Sequence, residues 1–163
     1  MKMNRLSILF GMITLLAGCQ TDAKEESTPI TGFVTDQKED RILITESPSS
    51  KSNSNPRAVW VAQVPEKEWE GYKVKVWLEG PVQESYPEQA EGGKVKKVDV
   101  SRNEETDLTQ QEALKKALDL NQSAKEAFAV ESISYQPELD RWKIALQKIV
   151  SAGETVVEEI PDQ

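Results

Sequence analysis

Apolar residues fall first into one nearly continuous run and then into short alternating ones. Leu6 to Ala17 is almost wholly apolar, follows Lys2 and Arg5, and is cut short by Gly18, Cys19 and Gln20. A spanning helix needs about 20 apolar residues, so the run is too short to anchor the chain and has instead the basic and apolar regions of a secretory signal over 1–18. The polar, aperiodic stretch to Pro29 (QTDAKEESTP) predicts a flexible tether over 19–29.

Beyond the tether the period shortens to two. Ile30–Asp36 (ITGFVTD) and Arg41–Glu46 (RILITE), with four polar residues between them, predict a hairpin. Ser47–Arg57 is built of Ser, Asn and Pro and predicts a loop. Ala58–Val64 (AVWVAQV) is apolar on both faces, as in a central strand. Pro65–Tyr72 reads as a polar connection holding Trp69, with room for one helical turn. In Lys73–Glu79 (KVKVWLE), Val74, Val76 and Leu78 face one way and Lys73, Lys75, Trp77 and Glu79 the other; Gly80 and Pro81 are expected to stop it. A Gly92-Gly93 turn then leads into a fifth strand, Lys94–Val100. Five short strands without a long helix predict a small barrel of the oligonucleotide/oligosaccharide-binding (OB) type over 30–102.

A second, α+β unit is expected over 107–163. Thr109 with Glu112 has the spacing of a capping box, opening a helix that presents Leu114, Ala117, Leu118 and Asn121 and ends near Asn121. Ala127–Tyr135 reads as a strand, Pro137–Asp140 as a turn and Arg141–Lys148 as the partner strand. Trp142, Ala145, Leu146 and Ile149 also fit helical spacing, so a helix is the alternative there. Glu154–Ile160 could add a third strand. The fold class is therefore mainly β: a five-stranded barrel, then a helix with antiparallel strands.

Composition narrows the chemistry. Cys19 is the sole cysteine, so no internal disulfide is available, and it directly follows Leu16-Ala17-Gly18 at the end of the apolar run. This junction resembles the lipobox of bacterial lipoproteins, which implies cleavage before Cys19, acylation of its thiol and residence on the extracytoplasmic face of the cell membrane. Stable anchoring takes two lipid signals, which a diacyl group and an N-acyl chain would supply. The chain carries a net charge of −8, and loss of Lys2 and Arg5 with the signal leaves 18 basic against 28 acidic residues. So acidic a surface argues against nucleic acid as a partner. With no histidine, ordinary catalytic triads and imidazole-ligated metal sites are excluded.

The succession Thr31-Gly32-Phe33-Val34, Arg41-Ile42-Leu43-Ile44, Ala58-Val59-Trp60, Lys73-Val74-Lys75-Val76-Trp77, then Glu84-Ser85-Tyr86-Pro87 with Gln89-Ala90, resembles the small domain of the YobA-like lipoprotein family of Bacillus relatives, a domain of unknown function numbered 3221. The likeness covers about 30–100 and implies location and fold; the family has no assigned reaction to carry over. The opening Leu108-Thr109-Gln110-Gln111-Glu112-Ala113-Leu114 faintly resembles a PepSY-type module, linked with peptidase regulation, although the usual Asp-x-x-Thr-Gly ending is missing.

Three aromatic residues are candidates for binding. On an open barrel face Trp60, Trp77 and Tyr86 could stack on a sugar or hold a partner's apolar side chain; the alternative expectation is that Trp60 fills the barrel and Trp77 lies beneath the stems of Lys73 and Lys75. Tyr86-Pro87 reads as a tight turn, cis if need be, with the ring packed on the barrel. The acids cluster in turns and tethers, where water solvates them, and none has calcium-loop spacing. Ser85 lacks the setting of a nucleophile. The expected role is thus a non-catalytic binding module of the cell envelope, without metal or cofactor, engaging an extracytoplasmic protein or envelope polymer. The alternative role is regulation or inhibition of an extracytoplasmic peptidase through the second unit.

Overall fold

The computed structural model describes residues 29–47, 55–65, 67–100, 104–122, 126–151 and 153–163. The signal, the lipobox Leu16-Ala17-Gly18, Cys19 and all of the tether but Pro29 lie outside them.

Alternating side chains build a closed barrel in the order β1-β2-β3-β5-β4. Its strands are β1 (Ile30–Lys38), β2 (Arg41–Thr45), β3 (Ala58–Ala62), β4 (Lys73–Gln83) and β5 (Glu88–Lys97). β1 pairs antiparallel with β4 to close the ring, while β3 and β5 run parallel, with Trp60 opposite Gln89. The inward set is Ile30, Val34, Ile42, Ile44, Val59, Val61, Val74 and Val76, which share one apolar core.

Several elements depart from the sequence reading. Among the described residues of Pro65–Tyr72 there is no helical turn; Trp69 is 1% exposed in the barrel core, its indole N–H donating to the Pro65 carbonyl (2.9 Å) and its backbone N–H to Gln37 Oε1 (2.9 Å). A single apolar residue among Lys67, Glu68 and Glu70 has no period to betray it. Gly80 and Pro81 do not end β4. The register shifts between Glu79 and Gln83, and such an irregularity admits a proline that cannot donate to the ladder. Gly92 and Gly93 form no turn either: both lie within β5, and a Cβ on Gly92 would come within 2.8 Å of Val61 Cγ1. The fifth strand therefore starts at Glu88 and ends at Lys97, six residues ahead of the expected start.

The second unit comprises α1 (Gln110–Asn121) and the sheet β6-β7-β8, formed by β6 (Phe128–Gln136), β7 (Arg141–Lys148) and β8 (Thr155–Pro161). The capping box is present: Thr109 Oγ1 accepts from the Glu112 N–H (3.2 Å) and Glu112 Oε2 from the Thr109 N–H (2.8 Å), a cap worth about 1 kcal/mol. Arg141–Lys148 is a strand, hydrogen-bonded on both sides, with Trp142, Ile144 and Leu146 buried. Partners on both edges override the helical spacing that the same side chains also satisfy. α1 lays Ala113, Leu114, Ala117 and Leu118 on this sheet.

The two units meet in an apolar seam. Phe33 of β1 belongs to the core beneath α1, and Leu43 and Ala58 pack with Ala129 and Ile149. At one side Gly71, with φ of +81°, runs so close to α1 that a Cβ would stand 2.5 Å from the Gln111 carbonyl oxygen. Gln111 Nε2 donates to the Glu70 carbonyl (3.0 Å), and Lys115 pairs with Glu68. No described helix is long and apolar enough to cross a membrane.

Candidate binding surface

Strand alternation decides where the aromatic candidates point. Val59 and Val61 fill the barrel, so Trp60 between them is turned outward and does not fill it, contrary to the packing expectation. It stays half-buried beside Leu43, its antiparallel partner on β2, at the rim of the seam. Lys38 Nζ and the Arg41 guanidinium stand 4.9 and 5.0 Å from its ring centroid. This is the cation over aromatic face arrangement, worth about 0.5–1 kcal/mol at exposed sites.

Trp60 divides two grooves. One, of about 340 Å³, runs over the barrel and is lined by Arg41, Trp60, Glu79, Gln83, Gln89 and Glu91. The other, of about 670 Å³, follows the seam and is lined by Trp60, Thr35, Glu70, Leu118, Phe128 and Ile149 among others. The Thr35 hydroxyl is buried without a hydrogen-bond partner. Burial, joined by the nearby acids Asp119, Asp36 and Glu68 and opposed by Lys115, raises the Glu70 carboxyl above the ordinary range.

The other two rings lie apart from this site. Trp77, on the outside of β4, sits among Lys75, Lys94 and Lys96, whose ammonium groups are 5.4, 5.1 and 5.9 Å from its centroid. The expected cover from Lys75 is present. Lys73 instead lies over Phe33, 5.5 Å from that ring, because it is paired across to β1. The Tyr86-Pro87 peptide is cis, and Tyr86 is 45% exposed with its hydroxyl donating to the Pro56 carbonyl (2.9 Å). Burial raises its phenol above the ordinary value. Beside it Arg57 grips Glu88 by a fork, Nε to Oε1 at 3.1 Å and Nη2 to Oε2 at 2.8 Å. Tyr86 is thus a strut tying the β4–β5 turn to the segment before β3. Among the described residues the rings in mutual contact are Tyr135 and Trp142, at 5.5 Å, so the three candidates form no shared platform.

Sequence reasoning missed Lys38 and Arg41 as neighbours of Trp60, since they come from the ends of β1 and β2 and meet it only through the barrel register. Among the described residues no group of three or more acids, histidines or cysteines is placed to hold a metal. Residues 31–99 match the model of a family described as Protein of unknown function (DUF3221). Neither curated proteins nor solved structures yielded a match.

Proposed function

With residues 31–99 forming a DUF3221 domain, we propose that this chain is a lipid-anchored, non-catalytic binding module on the extracytoplasmic face of the cell membrane, where its barrel holds an envelope polymer or protein partner in the grooves beside Trp60. One observation carries the reading: a large aromatic side chain is kept half-exposed on the outer face of β3, between two cations and two grooves. On OB barrels the face of strands 2 and 3, with the β1–β2 and β4–β5 loops, is where extended ligands lie. Here Arg41 and Trp60 occupy that face, and amide and carboxylate groups of Gln83, Gln89 and Glu91 offer hydrogen bonds beside the ring. The anchor is supported by the run Leu6–Ala17 and the junction Leu16-Ala17-Gly18-Cys19.

Two experiments test the parts separately. Cells fed a clickable fatty acid should label the wild-type protein, and Cys19→Ala should abolish the label; a labelled variant would refute the anchor. Crosslinking on intact cells should capture specific partners with the wild type and at least tenfold less with Trp60→Ala. Equal capture by both would remove Trp60 from the site.

A second reading, regulation of an extracytoplasmic peptidase, is favoured by the packing of α1 across a sheet that includes Trp142, as a PepSY-type unit would require. It expects capture of a peptidase that survives Trp60→Ala.

A further inference from the structure

On a chain with net charge −8, one face of the barrel is basic. The outward positions of β4 and β5 carry Lys73, Lys75, Trp77, Lys94 and Lys96, with Lys75 directly opposite Lys96 and Trp77 directly opposite Lys94. Among the described residues none of these four lysines forms an ion pair, whereas Lys38, Arg57, Lys115, Arg141 and Lys148 all do. Like charges directly opposite on a sheet destabilise it. Among the described residues, the Trp77 and Phe33 rings offset part of that cost. The next outward rung, Glu79 opposite Glu91, bounds the patch with acid.

We propose that this face binds an extended phosphodiester polymer with three-carbon repeats, aligned with the strands. The spacing fits it. Lysines two residues apart on one strand stand about 7 Å apart, because the extended chain advances about 3.3–3.6 Å for every three backbone bonds. Phosphates joined through a three-carbon unit are likewise six bonds apart, so successive charges of the polymer meet successive lysines. Lysine binds phosphate as a point charge, without the fixed planar register that a guanidinium fork would impose. The same face fits neither of the other common polyanions. Three ammonium groups stand 5.4, 5.1 and 5.9 Å from the Trp77 ring centroid, where they compete with a nucleobase for stacking on it. Trp77 is also half-buried beneath them, so it presents no wedge to a bilayer. The site meets the Trp60 groove over the barrel at Glu79 and Glu91 and does not depend on how that groove is used.

The test is equilibrium binding of the full chain to poly(glycerol phosphate) across salt concentrations. Four neutralised phosphates release counterions with a log–log slope of about −2.8, so affinity should fall about fiftyfold between about 50 and 200 mM salt. Lys94→Gln with Lys96→Gln should weaken binding and reduce that fall to about sevenfold, and Lys73→Gln with Lys75→Gln should do the same from the neighbouring strand. Lys143→Gln, at an exposed position of β7, should change nothing. No binding at about 50 mM salt, equal losses with Lys143→Gln, or insensitivity to both double variants would overturn the proposal. So would tighter binding, at equal phosphate concentration, to a single-stranded oligonucleotide or to phosphatidylglycerol vesicles.

Discussion

The indole N–H of Trp142 donates to Asp162 Oδ1 at 3.1 Å, inside the second unit and one residue short of the chain's last. The same carboxylate accepts the backbone N–H groups of Asp107 and Leu108, both at 2.8 Å. It thereby fastens the approach to α1 to the sheet that α1 covers. Burial would raise the Asp162 carboxyl, but these three donors and Lys116 outweigh it and hold the group below the ordinary range.

Asp162→Asn should therefore destabilise the protein by about 2 kcal/mol, since the amide presents a donor to at least one N–H and loses the charge. A depressed carboxyl adds stability above its unfolded-state value and forfeits it as pH falls through its folded-state value. Chemical denaturation should show the gap between wild type and variant at neutral pH and its closure in acid, below the ordinary carboxylate range. A gap independent of pH would deny the carboxylate this role.

Gly71→Ala should cost at least about 2 kcal/mol, combining a left-handed backbone with a side chain driven into the Gln111 carbonyl. The loss is expected in thermal melts of the full chain. A variant that melts with the wild type would show that the turn has room to retreat from α1.

Trp69→Ala should cost about 3–5 kcal/mol, the range for deleting a buried ring, and it also leaves the Pro65 carbonyl unpartnered. Urea midpoints measure it. The change should be far larger than for Trp60→Ala, because Trp60 is outside the barrel core.

Tyr135 donates its hydroxyl to Asp140 Oδ1 at 2.9 Å, and this bond, with burial and the charge of Asp140, pushes its phenol up to about 12. Ultraviolet titration should find one tyrosine ionising there, and Asp140→Asn should return it toward the ordinary value. Because the folded-state value is raised, any stability from this bond is complete below the unfolded tyrosine's range and lost as pH rises toward about 12.

Much of the fold was legible because its signals are local. Alternation marked β1 to β4 to within a few residues at their starts, and Thr109 with Glu112 marked the start of α1. What escaped depends on partners distant in sequence. The extension of β4 through Gly80-Pro81 needs β5 alongside, and the glycines of β5 answer to Val61 and Glu79 rather than to any turn. Trp60 shows the same limit: with alanines and valines on every side of it, the sequence does not say which face of β3 looks inward, and closure by β5 decides it. The lysine face was half visible, since Lys73-Lys75-Trp77 alternates openly, but its other half follows from a register no single strand encodes.

Phe33 lends its ring to the core beneath α1, while Leu43 and Ala58 rest on Ala129 and Ile149. A barrel cut out at the family's borders would be sticky on that flank. Homologous barrels that live without such a companion should carry polar substitutes at these three places, or else a different lodger pressed against them.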